Sequence, residues 1–161
     1  MGNTGITIYT DGAALGNPGP GGYGAVLMYG GHRKEIAEGF RLTTNNRMEL
    51  LAVIKALEKI KQPGIPVRVY TDSKYVHDAV EKKWLFGWKQ RGWAKVKNVD
   101  LWKRFLVLHE QFKPRFQWVK GHAGIPENER CDYLATFAAQ NSPNNVDFGY
   151  EKSLDGGGGL V

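Results

Sequence analysis

Four acids stand where the chain changes its local character: Asp11, Glu49, Asp72 and Asp132. Asp11 and Asp72 each close the phrase Tyr-Thr-Asp at the end of a short β-branched run that reads as a strand. If those two strands lie parallel and adjacent, both carboxylates emerge at one sheet edge, where α/β folds gather their ligand sites. Glu49 falls in the first turn of a helical stretch, and Asp132 in a helix that begins near Pro126. Clustered carboxylates suit hard divalent cations such as Mg²⁺, which prefer carboxylate and water oxygens. Two such ions about 4 Å apart activate a water and stabilise the leaving oxygen of an in-line attack on a phosphodiester. Without cations the acids repel one another, so a metal-free site is expected to be incomplete and less stable. Each acid also has a plain structural alternative. Asp11 before Gly12 and Asp72 before Ser73 are turn formers or caps, Glu49 suits a helix dipole, and Asp132 suits an amphipathic surface. His122, in the glycine-flanked loop Gly-His-Ala-Gly, is loosely held and can approach a reacting group and withdraw; the alternative is a loop histidine without a task. His32, His77 and His109 have no such setting and read as surface or packing residues.

The elements that must position these side chains follow from periodicity. Residues 6–10 alternate as a strand, and 12–24, dense in Gly and Pro, read as a turn region. Residues 23–29 and 34–42 read as the second and third strands of an antiparallel meander. From 46 to 61 the period becomes helical, with Leu50, Val53, Ile54, Leu57 and Ile60 on one face and Asn45 or Asn46 as the cap. Residues 67–71 form a short strand suited to a parallel, buried position. Ser73 caps a helix running towards Val80, and a broken helical stretch leads to Trp88. Residues 100–112 form a helix, 116–119 a strand, and 126–141 a last helix with Cys131, Leu134, Ala135 and Ala138 buried. The expected fold is α/β: a mixed five-stranded sheet, three strands antiparallel and two then parallel, with helices on both faces. One domain is expected over residues 1–142, with a flexible tail over 143–161.

Composition narrows the partners. The chain has 161 residues and a net charge of +6, but the excess lies in one stretch. Between positions 82 and 104 eight basic residues face one acid, a net +7, leaving −1 for the remainder. Trp84, Trp88, Trp93 and Trp102 are interleaved with those cations. Cations at this density release counterions from a phosphate backbone, and aromatic faces stack on bases or sugars; the alternative is a solvated loop anchored by its tryptophans. A lone Cys131 excludes an internal disulfide framework and suits a reducing cytoplasm. No apolar run approaches the roughly 20 residues of a membrane-spanning helix, and the amino terminus has no secretion-signal pattern.

Longer phrases tie these features together. YTDGAALGNPGPGGYGAVL, TTNNRMELLAVIKALE, YTDSKYV, GWKQRGW, VKNVDLW and WVKGHAGIPENERCDYLA occur in order from about position 6 to about position 140. In them the chain resembles bacterial type 1 ribonuclease H. The resemblance implies a ribonuclease H-like fold and hydrolysis of the RNA strand of RNA–DNA hybrids with two Mg²⁺ ions, Mn²⁺ being a possible substitute. It implies 5′-phosphate and 3′-hydroxyl products. It places the family's four metal-binding carboxylates on Asp11, Glu49, Asp72 and Asp132, and its mobile histidine, active in proton transfer or product release, on His122. Asn17, Thr44, Asn45 and Asn46 resemble the set that meets the hybrid's minor groove and backbone, where amides bond 2′-hydroxyls. Trp84 and Trp102 resemble aromatics lining the DNA-strand channel. Lys89, Arg91, Trp93, Lys95 and Lys97 resemble the substrate-gripping protrusion.

The chain departs from the family pattern in a shorter basic loop between Trp93 and Trp102, and in Lys74, which stands where a neutral amide is expected. The Gly-Pro run over 16–22 is no phosphate-binding P-loop, because it lacks the terminal Gly-Lys-Ser/Thr. Two other function classes remain as alternatives. A catalytically silent hybrid-binding module would lack a carboxylate, and none is missing; an integrase-like DNA strand-transfer core rarely carries the Trp-rich basic stretch. The expected protein is a cytoplasmic monomer, with an RNA–DNA hybrid as its partner and no obligate protein partner or membrane.

Overall fold

The computed structural model of the chain describes residues 5–156. Strands β1 (Ile6–Ala14), β2 (Gly19–Tyr29) and β3 (His32–Thr43) lead into helix α1 (Asn45–Glu58) and strand β4 (Val67–Thr71). Helices α2 (Lys74–Glu81), α3 (Trp84–Gln90) and α4 (Val99–Phe112), strand β5 (Arg115–Trp118), and helices α5 (Pro126–Asn141) and α6 (Phe148–Gly156) complete the order. The sheet runs β3-β2-β1-β4-β5. Its first three strands are antiparallel, while β4 is parallel to both β1 and β5. The α/β class and the mixed sheet are those the sequence implies.

Two helical layers cover the sheet. On one face Ile8, Ala25 and Val69 pack with Leu50, Val53, Ile54 and Leu57 of α1 and with Leu101, Phe105 and Leu108 of α4. Each fully buried Leu, Ile or Val of this core contributes about 1.5–3 kcal/mol relative to exposure. The single apolar face expected for α1 proves too narrow: Met48, Leu51, Ala52 and Ala56 are buried as well, because α4 closes over its second side. On the other face α5 lies directly on β2. A side chain at Gly22 or Gly24 would run into the α5 backbone at Ala135 or Cys131. That close approach explains why residues 12–24 are not one turn region. Residues 12–14 continue β1, the glycines from Gly19 to Gly24 are strand, and the connection shrinks to 15–18.

Three further expectations are corrected. The α1 cap is Thr44, not Asn45 or Asn46: its extended backbone turns Oγ1 to accept from Arg47 N at 3.3 Å. Trp102 lines no channel, because it is fully buried among Tyr75, Trp88 and Phe105, and its Nε1 donates to Tyr75 Oη at 2.8 Å. An indole N–H with a partner inside the core has no need of a surface position. The chain beyond Asn141 is also no loose tail where it is described. Asn145 pairs with Phe40 beside β3, Asp147 is buried, and α6 follows. The part of that expectation on residues 157–161 lies outside the described residues. No helix among the described residues is long and apolar enough to cross a membrane.

Candidate active site

Register brings the first two acids together. In the parallel pairing Tyr9 faces Tyr70, their rings stacked at 4.7 Å, and Thr10 faces Thr71. Asp11 and Asp72 are therefore the next residues on neighbouring strands, at the carboxyl edge of β4. Although β4 stops at Thr71, β1 runs three residues past Asp11 to Ala14. The start of α1 crosses this edge and carries Glu49 onto it, not from the first turn as expected but just past it, because the helix already begins at Asn45. One oxygen from each of Asp11, Glu49 and Asp72 lies within 4.8 Å of the other two. Asp132, on α5, stands outside this tight group. Its charge still acts on Asp11 and Asp72 and favours their protonated forms.

Burial makes the cluster electrostatically costly. Asp11 is 4 % exposed and Glu49 6 %. Two carboxylate charges 4.8 Å apart repel by about 3.5 kcal/mol at an effective dielectric of ~20. Burial, then Asp72 and Asp132, push the Asp11 carboxyl up to about 8, against which only the bond from Gly12 N works. Burial and the charges of Asp11 and Asp72 hold Glu49 well above the usual carboxylate range. Burial raises Asp72 too, although its contact with Asp11 opposes the shift. At neutral pH and without cations, part of this cluster keeps its protons.

The donor set fits a divalent cation. Every offered atom is a carboxylate oxygen, the ligand hard cations select. Glu49 Oε1 is buried with no hydrogen-bond partner, a condition that is rare and unfavourable unless something else, such as a cation, satisfies the oxygen. Asp11, Glu49 and Asp72 are thus the residues that would hold an ion, with Asp132 close enough to join at one side. Cys131 is not part of this chemistry. Its Sγ is buried against Tyr9 O at 3.2 Å, and burial pushes the thiol above its ordinary value.

The loop after β5 passes over Asp72. Trp118 Nε1 donates to Asp72 O at 3.1 Å, Val119 N donates to Thr71 O, and a side chain at Gly121 would stand 2.7 Å from Asp72 Oδ2. His122 follows at once, exposed and with a left-handed backbone (φ 56°). Lys74, the departure from the family pattern, turns to the same loop, its Nζ 4.7 Å from the Trp118 ring centre.

Flanking the acids, Asn17 Oδ1 accepts from Asn45 N at 3.0 Å and fixes the β1–β2 connection against the start of α1. Asn46 is exposed, and Thr44 spends its hydroxyl on the helix cap. Lys89, Arg91, Lys95 and Lys97 project into solvent with no ion-pair partner among the described residues. Trp93 is half-buried against the core, whereas Trp84 is 49 % exposed with Lys82 over its ring.

Sequence reasoning passed over three residues. Asn128 is buried on the first turn of α5, beside Asp72, with an unpartnered Nδ2. Its spacing of four from Asp132 puts both on one helix face, a signal present in PENERCD. Arg47 is 3 % exposed and binds Asp100 and Asp147 through two oxygens of each. Asn98 joins Arg47 to the Tyr75 hydroxyl.

Fold and site together define an α/β protein with a buried all-oxygen carboxylate cluster, suited to a divalent cation, at the carboxyl edge of its sheet. The RNase H family profile matches residues 3–140. Ribonuclease H of Psychromonas ingrahamii is 56 % identical over 151 residues, covering 91 % of this chain and 97 % of that protein. Ribonuclease HI of Synechocystis is 53 % identical over 153 residues, covering 91 % and 95 %. Among solved structures, LC9-RNase H1, described as a type 1 RNase H with the type 2 active-site motif, superposes with a TM-score of 0.78 at 33 % identity, covering 95 % of this chain and 82 % of that one. LC11-RNase H1, solved in complex with RNA/DNA hybrid, gives 0.65 at 28 % identity, covering 86 % and 99 %. The chain belongs to the ribonuclease H family, in its bacterial type 1 branch.

Proposed function

We propose that this chain is an endoribonuclease that hydrolyses the RNA strand of RNA–DNA hybrids with a pair of Mg²⁺ ions, leaving 5′-phosphate and 3′-hydroxyl ends. The observation that carries this reading is the buried trio Asp11, Glu49 and Asp72, with its unpartnered Glu49 oxygen, in a chain of this family. Bound there, the two cations supply Lewis acidity and charge neutralisation for an in-line displacement at phosphorus. The protein's own part is positional. Asp11 and Asp72 are locked by strand register, Glu49 by the Thr44-capped helix, and Asp132 and His122 lie at the more open side. A water oxygen attacks phosphorus, the bond to the 3′-oxygen breaks, and that oxygen takes up a proton. His122, on its glycine-flanked loop beside Asp72, is placed to move a proton at this step or to assist release. Lys89, Arg91, Trp93, Lys95, Lys97 and Trp84 form the gripping surface, and Asn17, Thr44, Asn45 and Asn46 meet the minor groove. Mn²⁺ can replace Mg²⁺. All four carboxylates come from one chain, so a second copy is not needed to complete the site, and we infer a cytoplasmic monomer.

Labelled RNA–DNA hybrid, duplex DNA and duplex RNA, each incubated with and without EDTA, test this reading. Cleavage of the hybrid's RNA strand alone, lost with EDTA, is expected. Binding without cleavage would indicate a silent module, and processing of duplex DNA an integrase-like core. Asp11→Asn is expected to lower cleavage at least about 10³-fold while hybrid binding survives; undiminished Mg²⁺-dependent cleavage by that variant would refute the site.

A further inference from the structure

The segment after α5 is built onto the molecule by charged contacts. Asp147 accepts from Thr43 Oγ1 at 2.7 Å and from Arg47 Nε and Nη2 at 2.8 and 2.9 Å, and it caps α6 by accepting from Tyr150 N at 3.2 Å. Glu151 is held by both Nε and Nη2 of Arg41, at 2.9 and 2.8 Å. At Gly149 a side chain would strike Asp100 and come within 2.7 Å of Arg47 Nη2, so the first turn of α6 rests directly on the Arg47–Asp100 pair. Helix α6 is thereby fixed in place without a large apolar face; Phe148 is 76 % exposed and Leu154 53 %.

Seated there, α6 forms one side of a groove of about 800 Å³. Asn17, Thr44 and Asn46 form another side, Lys97 comes from the basic stretch, and α6 contributes Tyr150, Lys152 and Ser153. Asp100, the acid in the lining, is paired with Arg47, which it shares with Asp147. The groove is left with two lysines, Lys97 and Lys152, that have no ion-pair partner among the described residues.

We propose that α6 is a working wall of the substrate groove and that Lys152 contacts a backbone phosphate of the bound duplex. This rests on the reading that the groove takes a nucleic acid. Lys152 binds charge without reading sequence, so it contributes to grip and leaves the chemical step alone. Hybrid affinity of the full chain, measured by titration over a salt series in Ca²⁺, decides it, with kcat and KM measured in Mg²⁺. For Lys152→Ala the slope of log K against log salt is expected to fall by about 0.9, with KM raised several-fold and kcat unchanged. Lys152→Arg should restore the wild-type slope. Lys61→Ala, just beyond the opposite end of α1, should leave it unchanged. A wild-type slope for Lys152→Ala, or an equal loss for Lys61→Ala, overturns the assignment. A wild-type protein that neither binds nor cuts the hybrid overturns the functional reading as well.

Discussion

At the residue scale the decisive feature is a conflict that the fold does not relieve. Asp11, Glu49 and Asp72 share a small buried space, and their like charges raise one another's proton affinity beyond what burial alone does. In the unfolded chain Asp11 titrates near 3.8, and in the folded, metal-free protein at about 8. Between these values the folded state holds more protons than the unfolded one, so stability falls as pH rises through the window. Thermal unfolding of metal-free protein should therefore show Tm decreasing from about pH 5 to about pH 8. Saturating Mg²⁺, which replaces protons as the counter-charge, should flatten or invert that trend. Asp11→Asn, which removes one charge from the cluster, should raise metal-free stability at pH 8 by ~1–2 kcal/mol and weaken the pH dependence. A metal-free Tm that climbs steadily with pH would show that the carboxylates do not crowd as described.

At the scale of elements, Arg47 stands out. It sits between Thr44, which caps α1, and Glu49, and it anchors α1 to α4 through Asp100 and to the α6 segment through Asp147. A guanidinium 3 % exposed with two carboxylates satisfied on both edges holds three elements in one geometry. Removing it leaves Asp147 buried without its cation, the costly half of a broken buried pair. Arg47→Ala is expected to lower unfolding free energy in urea by about 3–5 kcal/mol and to reduce activity through misplacement of Glu49. Arg47→Ala combined with Asp147→Asn should recover part of the stability, since no charge is then stranded. A loss below about 1 kcal/mol for the single variant would mean the clamp is not closed in solution.

At the scale of the whole molecule, charge is divided by region. The carboxylates concentrate negative potential at one sheet edge, while Lys89, Arg91, Lys95 and Lys97 are exposed along the stretch from α3 to α4. Under the proposed function, such a layout would attract a polyanion towards the carboxylate edge once cations offset its charge. If those four side chains each neutralise a phosphate, hybrid affinity should drop by about 10²-fold between roughly 50 and 200 mM salt. Affinity that is flat over this range would remove that stretch from the interface. The extended motifs and the alternation of strand and helix made the α/β order, the mixed sheet and the meeting of Asp11, Glu49 and Asp72 legible in advance. Glycines misled where they were read as turn residues, because at Gly22 and Gly24 they serve the contact with α5. Trp102 misled because an indole in a basic stretch looks like a surface aromatic until the core has been assembled around it.

By itself the sequence determined the local periods, and these suffice to send two strand ends and one helix start to a common edge, since chain direction and element length leave little choice. Only the tertiary structure decided which oxygens come within 4.8 Å, which tryptophan is enclosed, and that Asp147 reaches back a hundred positions to Arg47. Contacts of that kind join residues with no regular spacing between them, so no local pattern encodes them, and their energies appear only once distant segments are packed together.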